Sequence, residues 1–66
     1  MKHARECREH LQMTQAELAK KVGLSQETIS QYEIGTRTPN VDVARKIAKV
    51  LREPLDNIFF GKEISK

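Results

Sequence analysis

The sequence has little of what several classes of protein require. Its single cysteine, Cys7, excludes an internal disulfide framework and a zinc site with four Cys and His ligands, and it favours a reducing compartment. No apolar run approaches the roughly 20 residues of a membrane span, and the charged start MKHARECREH lacks the apolar stretch of a signal peptide. No repeat, low-complexity tract or linker is present. These absences predict a soluble, single-domain protein of the cytoplasm.

Chain length and net charge set further bounds. Sixty-six residues allow one domain over residues 1–66, with a core from about residue 4 to residue 60 and a tail over residues 61–66. Such a chain buries only about 60% of the surface that it exposes when unfolded, so its stability should be marginal. The net charge of +3 favours a polyanionic partner only mildly, because many unrelated proteins carry a similar excess.

A short helix is predicted to begin just after Thr14. Thr14 and Glu17 have the spacing of a capping box, in which each side chain accepts from the other residue's backbone N–H, so the helix should start at Gln15. It should end at Gly23, which can adopt the left-handed C-terminal conformation without strain. Leu18, Ala19 and Val22 recur at helical spacing between these limits.

A second short helix is predicted to follow at once. Ser25 can cap its start and Gly35 can end it, and its Ile29 and Tyr32 can leave water only by packing on the preceding helix. Two helices joined by so short a turn must cross steeply, which is the helix-turn-helix arrangement. Ala19 falls where the crossing is closest, so a larger side chain there would separate the pair.

Three further helices complete an all-α, compact five-helix fold. Ala4, Cys7 and Leu11 recur at helical spacing and predict a first helix over residues 2–12. The fourth helix should start after Asn40, and Pro54 should open a short fifth helix through about Phe59. The apolar stripe of the fourth helix is predicted to be Val41, Ala44, Ile47, Ala48 and Leu51.

These residues resemble the lambda-repressor-like, Cro or XRE-type helix-turn-helix proteins, from about Arg5 to Phe59. Cys7, Gln12 and Arg52 depart from the family pattern, since a larger aliphatic residue, a glycine and a glycine are usual there. The resemblance implies a homodimeric transcriptional regulator of double-stranded DNA, most simply a repressor of phage, plasmid or mobile-element type on a near-palindromic operator. The residues that match the pattern are Gln15, Leu18, Ala19, Gly23, Ser25, Ile29, Glu33 and Gly35.

In such a motif the third helix of the chain lies in the major groove, with its first residues towards base edges. A glutamine amide donates and accepts together, as adenine N6 and N7 require, and Thr28 offers a methyl group to thymine. Glu27 could accept from cytosine N4, or it could be a first-turn acid favoured by the helix dipole, and neither alternative is preferred. The predicted base-reading residues are Gln26, Glu27, Thr28, Ser30 and Gln31.

Other residues near this helix are predicted to hold phosphates or to hold the fold. Gln15 opens the second helix, where its amide and the free backbone N–H groups can bind a phosphate, as the resemblance also implies. The remaining predicted phosphate contacts are Ser25, Thr36, Arg37 and Thr38. The resemblance also implies a structural ion pair between Arg8 and Glu33. The alternative is that both charges are solvated. The pair is favoured, because Glu33 follows Tyr32 on a largely packed helix and a carboxylate buried alone would be costly.

No catalytic chemistry, metal or cofactor is predicted. His3, Cys7 and His10 share one helix, but the two histidines flank different faces, so a metal site is not expected. Cys7 lacks a base that could activate it as a nucleophile, and a small apolar core residue is its ordinary alternative role. The sequence therefore predicts neither an enzyme nor a small-molecule ligand.

Assembly and two rival functions remain open. The dimer interface is predicted at Leu55, Asn57 and Phe60, because Ile58 and Phe59 are needed in the core while Leu55 and Phe60 can project outward. Phe60 otherwise belongs to a frayed or extended tail. One rival is a protein-interaction module, such as an antirepressor or antitoxin half, which the polar third helix disfavours. The other is a restriction-system controller protein, which would share every feature described.

Overall fold

The computed structural model describes the backbone of residues 1–60, and the side chains of that range other than those of Lys2, Phe59 and Phe60. All regular structure in this range is helical, which confirms the predicted all-α, five-helix fold. None of these helices is long and apolar enough to cross a membrane. The helices are α1 (Lys2–His10), α2 (Gln15–Val22), α3 (Gln26–Ile34), α4 (Val41–Leu51) and α5 (Leu55–Phe60).

Side chains at the helix starts fix the limits of the helix-turn-helix. Thr14 Oγ1 accepts from the Glu17 backbone N–H at 3.0 Å, and Glu17 Oε1 accepts from the Thr14 N–H at 2.8 Å, so the capping box is complete. Ser25 Oγ accepts from the Thr28 N–H at 3.1 Å at the start of α3. Gly35 ends α3 with φ +100°, a left-handed conformation that L side chains rarely adopt. Local chemistry thus determines where α3 begins and ends.

The core lies between the helix-turn-helix and the other three helices. Its largest fully buried side chains come from α2, α3, α4 and α5, and Ala4 of α1 is fully buried with them. Ala19 is only 3% exposed, in the α2 turn that packs on this core. The five largest buried side chains are Leu18, Ile29, Ile47, Leu51 and Ile58.

The structure corrects three details of the sequence prediction. Helix α1 ends at His10, two residues early, because Gln12 adopts a left-handed conformation with φ +58°. Val41 is 61% exposed because it is the first residue of α4, ahead of the turns that pack, while Val43 contacts the core instead. Leu55, expected to project outward, is half-buried and packs against the core.

Candidate nucleic-acid interface

The outward face of α3 is the centre of the candidate site. Ile29, Tyr32 and Glu33 are buried, so the opposite side of this helix faces solvent. Gln26 and Glu27 are exposed, and Ser30 and Gln31 are half-buried. Their spacing places Glu27 and Gln31 on one helical line, four residues apart. Helix α3 therefore presents polar side chains to solvent on one face, while its opposite face is packed in the core.

The two ends of α3 hold their polar groups differently. At the start, the hydroxyl oxygens of Ser25 and Thr28 lie 2.8 Å apart, so both hydroxyls belong to the helix cap as well as to the candidate surface. At the other end, the Gln31 carbonyl oxygen accepts from the backbone N–H groups of Gly35, Thr36 and Arg37 at 2.9, 3.1 and 3.3 Å. The turn after α3 is thereby folded back onto Gln31.

Arg37 lies over the end of α3 rather than pointing freely into solvent. Its Nη1 donates to the Gln31 amide oxygen Oε1 at 3.3 Å, and its Cζ lies 5.8 Å from the centroid of the Tyr32 ring. That ring is only 5% exposed, so the core determines its position. A guanidinium over an aromatic face is attracted by the ring quadrupole, which holds the cation beside the predicted base-reading surface.

A buried network connects α1, the start of α2 and α3. Arg8 Nε and Nη2 donate to the two carboxylate oxygens of Glu33 at 2.8 and 3.2 Å, and Arg8 Nη1 donates to the Met13 carbonyl at 2.7 Å. Gln15 Nε2 donates to the same carboxylate at 3.0 Å. Hydrogen bonding to Glu33 raises the pKa of the Arg8 guanidinium, so the guanidinium stays charged.

The network also decides what Gln15 can offer to a ligand. Its amide nitrogen carries two N–H groups, and one of them donates to Glu33. The side chain is half-buried at the first residue of α2, where backbone N–H groups lack partners within the helix. The amide therefore has a second N–H group beyond its bond to Glu33, and it stands at the start of α2.

The remaining predicted site residues lie in two separate places. Thr36, Arg37 and Thr38 are exposed in the loop after α3, where they flank the base-reading surface. The predicted dimer residues lie apart from it on α5, where Asn57 is half-buried and donates a hydrogen bond to Glu53. The side chain of Phe60 lies outside the described residues.

Cys7 does not have the surroundings of a reactive thiol. Partial burial, and then the nearby carboxylates of Glu53 and Glu6, raise the pKa of this thiol. The thiol form is therefore favoured over the nucleophilic thiolate. Cys7 packs against the core as a small apolar residue.

Comparison with known proteins identifies the family to which this fold belongs. The sequence model of the helix-turn-helix family matches residues 5–58, which is most of the chain. The chain belongs to the XRE-type helix-turn-helix family. This family consists of DNA-binding transcriptional regulators and is not a class of enzymes.

Relatives and a solved structure agree with this assignment. An uncharacterized HTH-type transcriptional regulator from Archaeoglobus fulgidus is 42% identical over 89% of this chain and 83% of that protein. Another, from Methanothermobacter thermautotrophicus, is 43% identical over 89% of this chain and 87% of that protein. The P22 c2 repressor, crystallised in complex with a synthetic operator, superposes with a TM-score of 0.84 at 34% identity, and the match covers 89% of each chain.

Two departures from the XRE-type pattern have a structural consequence. Gln12 and Arg52 stand where this family often has glycine, and both adopt positive φ, +58° and +62°. A left-handed conformation costs an ordinary residue about 1–2 kcal/mol. Two positions where the family often has glycine are therefore left-handed in this chain, although Gln12 and Arg52 carry side chains there.

Three features of the site were not predicted from the sequence. The contact between Arg37 and the Gln31 side chain and the bond from Gln15 to Glu33 depend on long side chains meeting across turns. Ile34 is 71% exposed, seven residues after Glu27 and three after Gln31, so it extends the outward face of α3. Only the position of Ile34 could have been found from helical spacing.

Proposed function

We propose that this protein binds double-stranded DNA in a sequence-specific manner as a homodimeric transcriptional repressor. The observation that carries the proposal is the outward face of α3, whose polar side chains are exposed or half-buried while its other side is anchored in the core. An α-helix with this face fits the major groove, where base edges offer donors and acceptors. The likeness to the P22 c2 repressor supports the same use of the fold.

Phosphate contacts on both sides of α3 would set its position in the groove. The second amide N–H of Gln15 and the N-terminal backbone of α2 suit one phosphate, and Thr36, Arg37 and Thr38 suit another beyond the end of α3. Ser25 precedes α3 and is exposed. These contacts fix register, whereas Gln26, Glu27, Thr28, Ser30 and Gln31 would provide the sequence preference.

The experiment that tests DNA binding is selection of duplexes from a random library, followed by affinity measurements at several salt concentrations. We expect one enriched sequence and an affinity for it that falls steeply with salt, because each neutralised phosphate adds about −0.9 to the slope of log K against log salt. Equal affinity for selected and scrambled duplexes at every salt concentration would refute sequence-specific binding. It would favour a protein-interaction module instead.

The homodimer is proposed because one α3 can read only a few base pairs. Two copies related by a two-fold axis would place their recognition helices about 34 Å apart, on half-sites of a near-palindromic operator. The proposed contact is Leu55, Asn57 and Phe60 of α5, on a different helix from the base-reading surface. Repressor action and a phage, plasmid or mobile-element origin are also part of the proposal. The likeness to the P22 c2 repressor supports them, whereas the relatives from Archaeoglobus fulgidus and Methanothermobacter thermautotrophicus do not.

Sedimentation of the free protein tests this assembly. We expect a dimer at micromolar concentration, weakened by Phe60→Ala together with operator affinity. Val41→Ala is the matched control, because Val41 is also an apolar residue but lies 61% exposed at the start of α4. A monomer that binds one half-site, with or without Phe60, would refute the dimer.

A further inference from the structure

The hydrogen bond between Arg37 and Gln31 determines which way the Gln31 amide faces. Arg37 Nη1 lies 3.3 Å from Gln31 Oε1. A guanidinium has only donors, so the amide must turn its oxygen, and not its NH₂ group, towards Arg37. The two N–H groups of Gln31 Nε2 are then directed away from the guanidinium.

Arg37 is held at three points, two on its guanidinium and one on its backbone, which favours this orientation of the Gln31 amide. The backbone N–H of Arg37 donates to the Gln31 carbonyl at 3.3 Å, and the side chain lies over the buried Tyr32 ring. The neighbouring N–H groups of Gly35 and Thr36 donate to the same carbonyl and pin the turn. The backbone bonds cap the end of α3, and the two side-chain contacts hold the exposed guanidinium beside Gln31.

We propose that Arg37 is a positioning residue for base recognition, which fixes Gln31 as a donor and directs it to guanine. A glutamine that is free to turn matches adenine, which needs one acceptor and one donor. A glutamine whose oxygen is turned towards a guanidinium presents its NH₂ group on the other side, and guanine N7 and O6 are both acceptors. This inference rests on the proposed function, since it requires α3 in the major groove.

The test compares base preferences rather than total affinities. Duplexes that differ at one base pair are titrated against the wild-type protein, Gln31→Ala and Arg37→Met. We expect the wild type to prefer guanine about tenfold at one position and Gln31→Ala to lose that preference. Arg37→Met should reduce or redirect the preference at the same position. In the Gln31→Ala background, Arg37→Met should lower the affinity for all duplexes equally.

Two further variants separate orientation from charge. Arg45→Met removes one positive charge from an exposed position on α4 and should leave the guanine preference intact. Arg37→Lys keeps the charge but loses the planar fork, so it should weaken the preference without changing the salt dependence. Thermal melts and the Gln31 side-chain amide resonances are recorded without DNA; the resonances should shift in Arg37→Met while the melt changes little.

Different results would refute the role of Arg37 and the proposed function of DNA binding. If Arg37→Met weakens all duplexes equally and leaves the preference at the Gln31 position unchanged, Arg37 is a phosphate contact only. A wild-type preference for adenine at that position would also refute the inference while leaving sequence-specific binding in place. A wild-type protein that binds all duplexes alike would refute the proposed function itself, and the inference with it.

Discussion

Removal of the Glu33 carboxylate should be the most damaging single change to the fold outside the apolar core. Glu33 is 5% exposed and accepts three hydrogen bonds, two from Arg8 and one from Gln15. Glu33→Ala would leave the Arg8 guanidinium, which is 7% exposed, without its counter-ion. It would also release the start of α2 from α3.

The expected cost is large compared with the stability of so small a domain. Breaking a buried pair by removing one partner costs about 3–5 kcal/mol, because the other charge stays buried. A single core in a chain of this size rarely supplies more than about 3–5 kcal/mol in total. Since 1 kcal/mol shifts the melting temperature of such a domain by about 4–8 °C, even the lower figure corresponds to about 12–24 °C.

Thermal and urea denaturation followed by circular dichroism would measure this cost. Glu9→Ala is the matched control, because Glu9 forms an exposed pair with Arg5 at 3.2 Å, and such a pair contributes about 0–1 kcal/mol. The double variant Arg8→Met with Glu33→Leu should recover much of the loss, since it leaves no buried charge. A Glu33→Ala protein no less stable than the Glu9→Ala control would refute the reasoning.

Three other substitutions test separate features. Arg52→Gly should raise the free energy of unfolding by about 0.5–1 kcal/mol, because relief of the left-handed conformation outweighs the added flexibility of the unfolded chain, whereas Lys49→Gly within α4 should lower it by about 1 kcal/mol. Ala19→Leu should lower it by about 1–3 kcal/mol, and an unchanged urea midpoint would mean that this position is not closely packed. Ile34→Ser should leave the free energy of unfolding within about 0.5 kcal/mol of wild type but weaken binding of the selected duplex. Unchanged affinity would mean that Ile34 does not contact DNA and that the binding face of α3 extends only to Gln31.

The parts of the fold that could be predicted depend on chemistry between near neighbours in sequence. The capping box of Thr14 and Glu17 and the cap at Ser25 involve residues three apart, so short motifs determine them. Gly23 and Gly35 adopt the positive φ for which glycine is suited. The buried apolar positions of α2 and α3 follow from helical spacing, whereas the burial of Glu33 is expected only from the family resemblance.

The parts that could not be predicted depend on where one element ends against another. Spacing places Val41 on the buried side of α4, but only the packed arrangement shows that the first turn extends beyond its neighbours. The side chain of Gln12 gives no sign of its left-handed conformation, and only the glycine that the family often has at this position points to it. The Arg37 contact with Gln31 joins two flexible side chains six residues apart across a turn, which no periodicity describes.

The two glutamines at the candidate interface differ in how far their roles can be separated from stability. Gln15 shares the Glu33 carboxylate with Arg8, so a change at Glu33 alters the fold and the phosphate contact together. Gln31 is oriented by Arg37, which is exposed and not part of that network. A substitution at Arg37 can therefore alter base preference while α3 keeps its place in the core. The effect of a substitution at Arg37 or Gln31 on DNA binding can accordingly be measured with little change in stability, whereas every change at Gln15 must also satisfy the buried carboxylate.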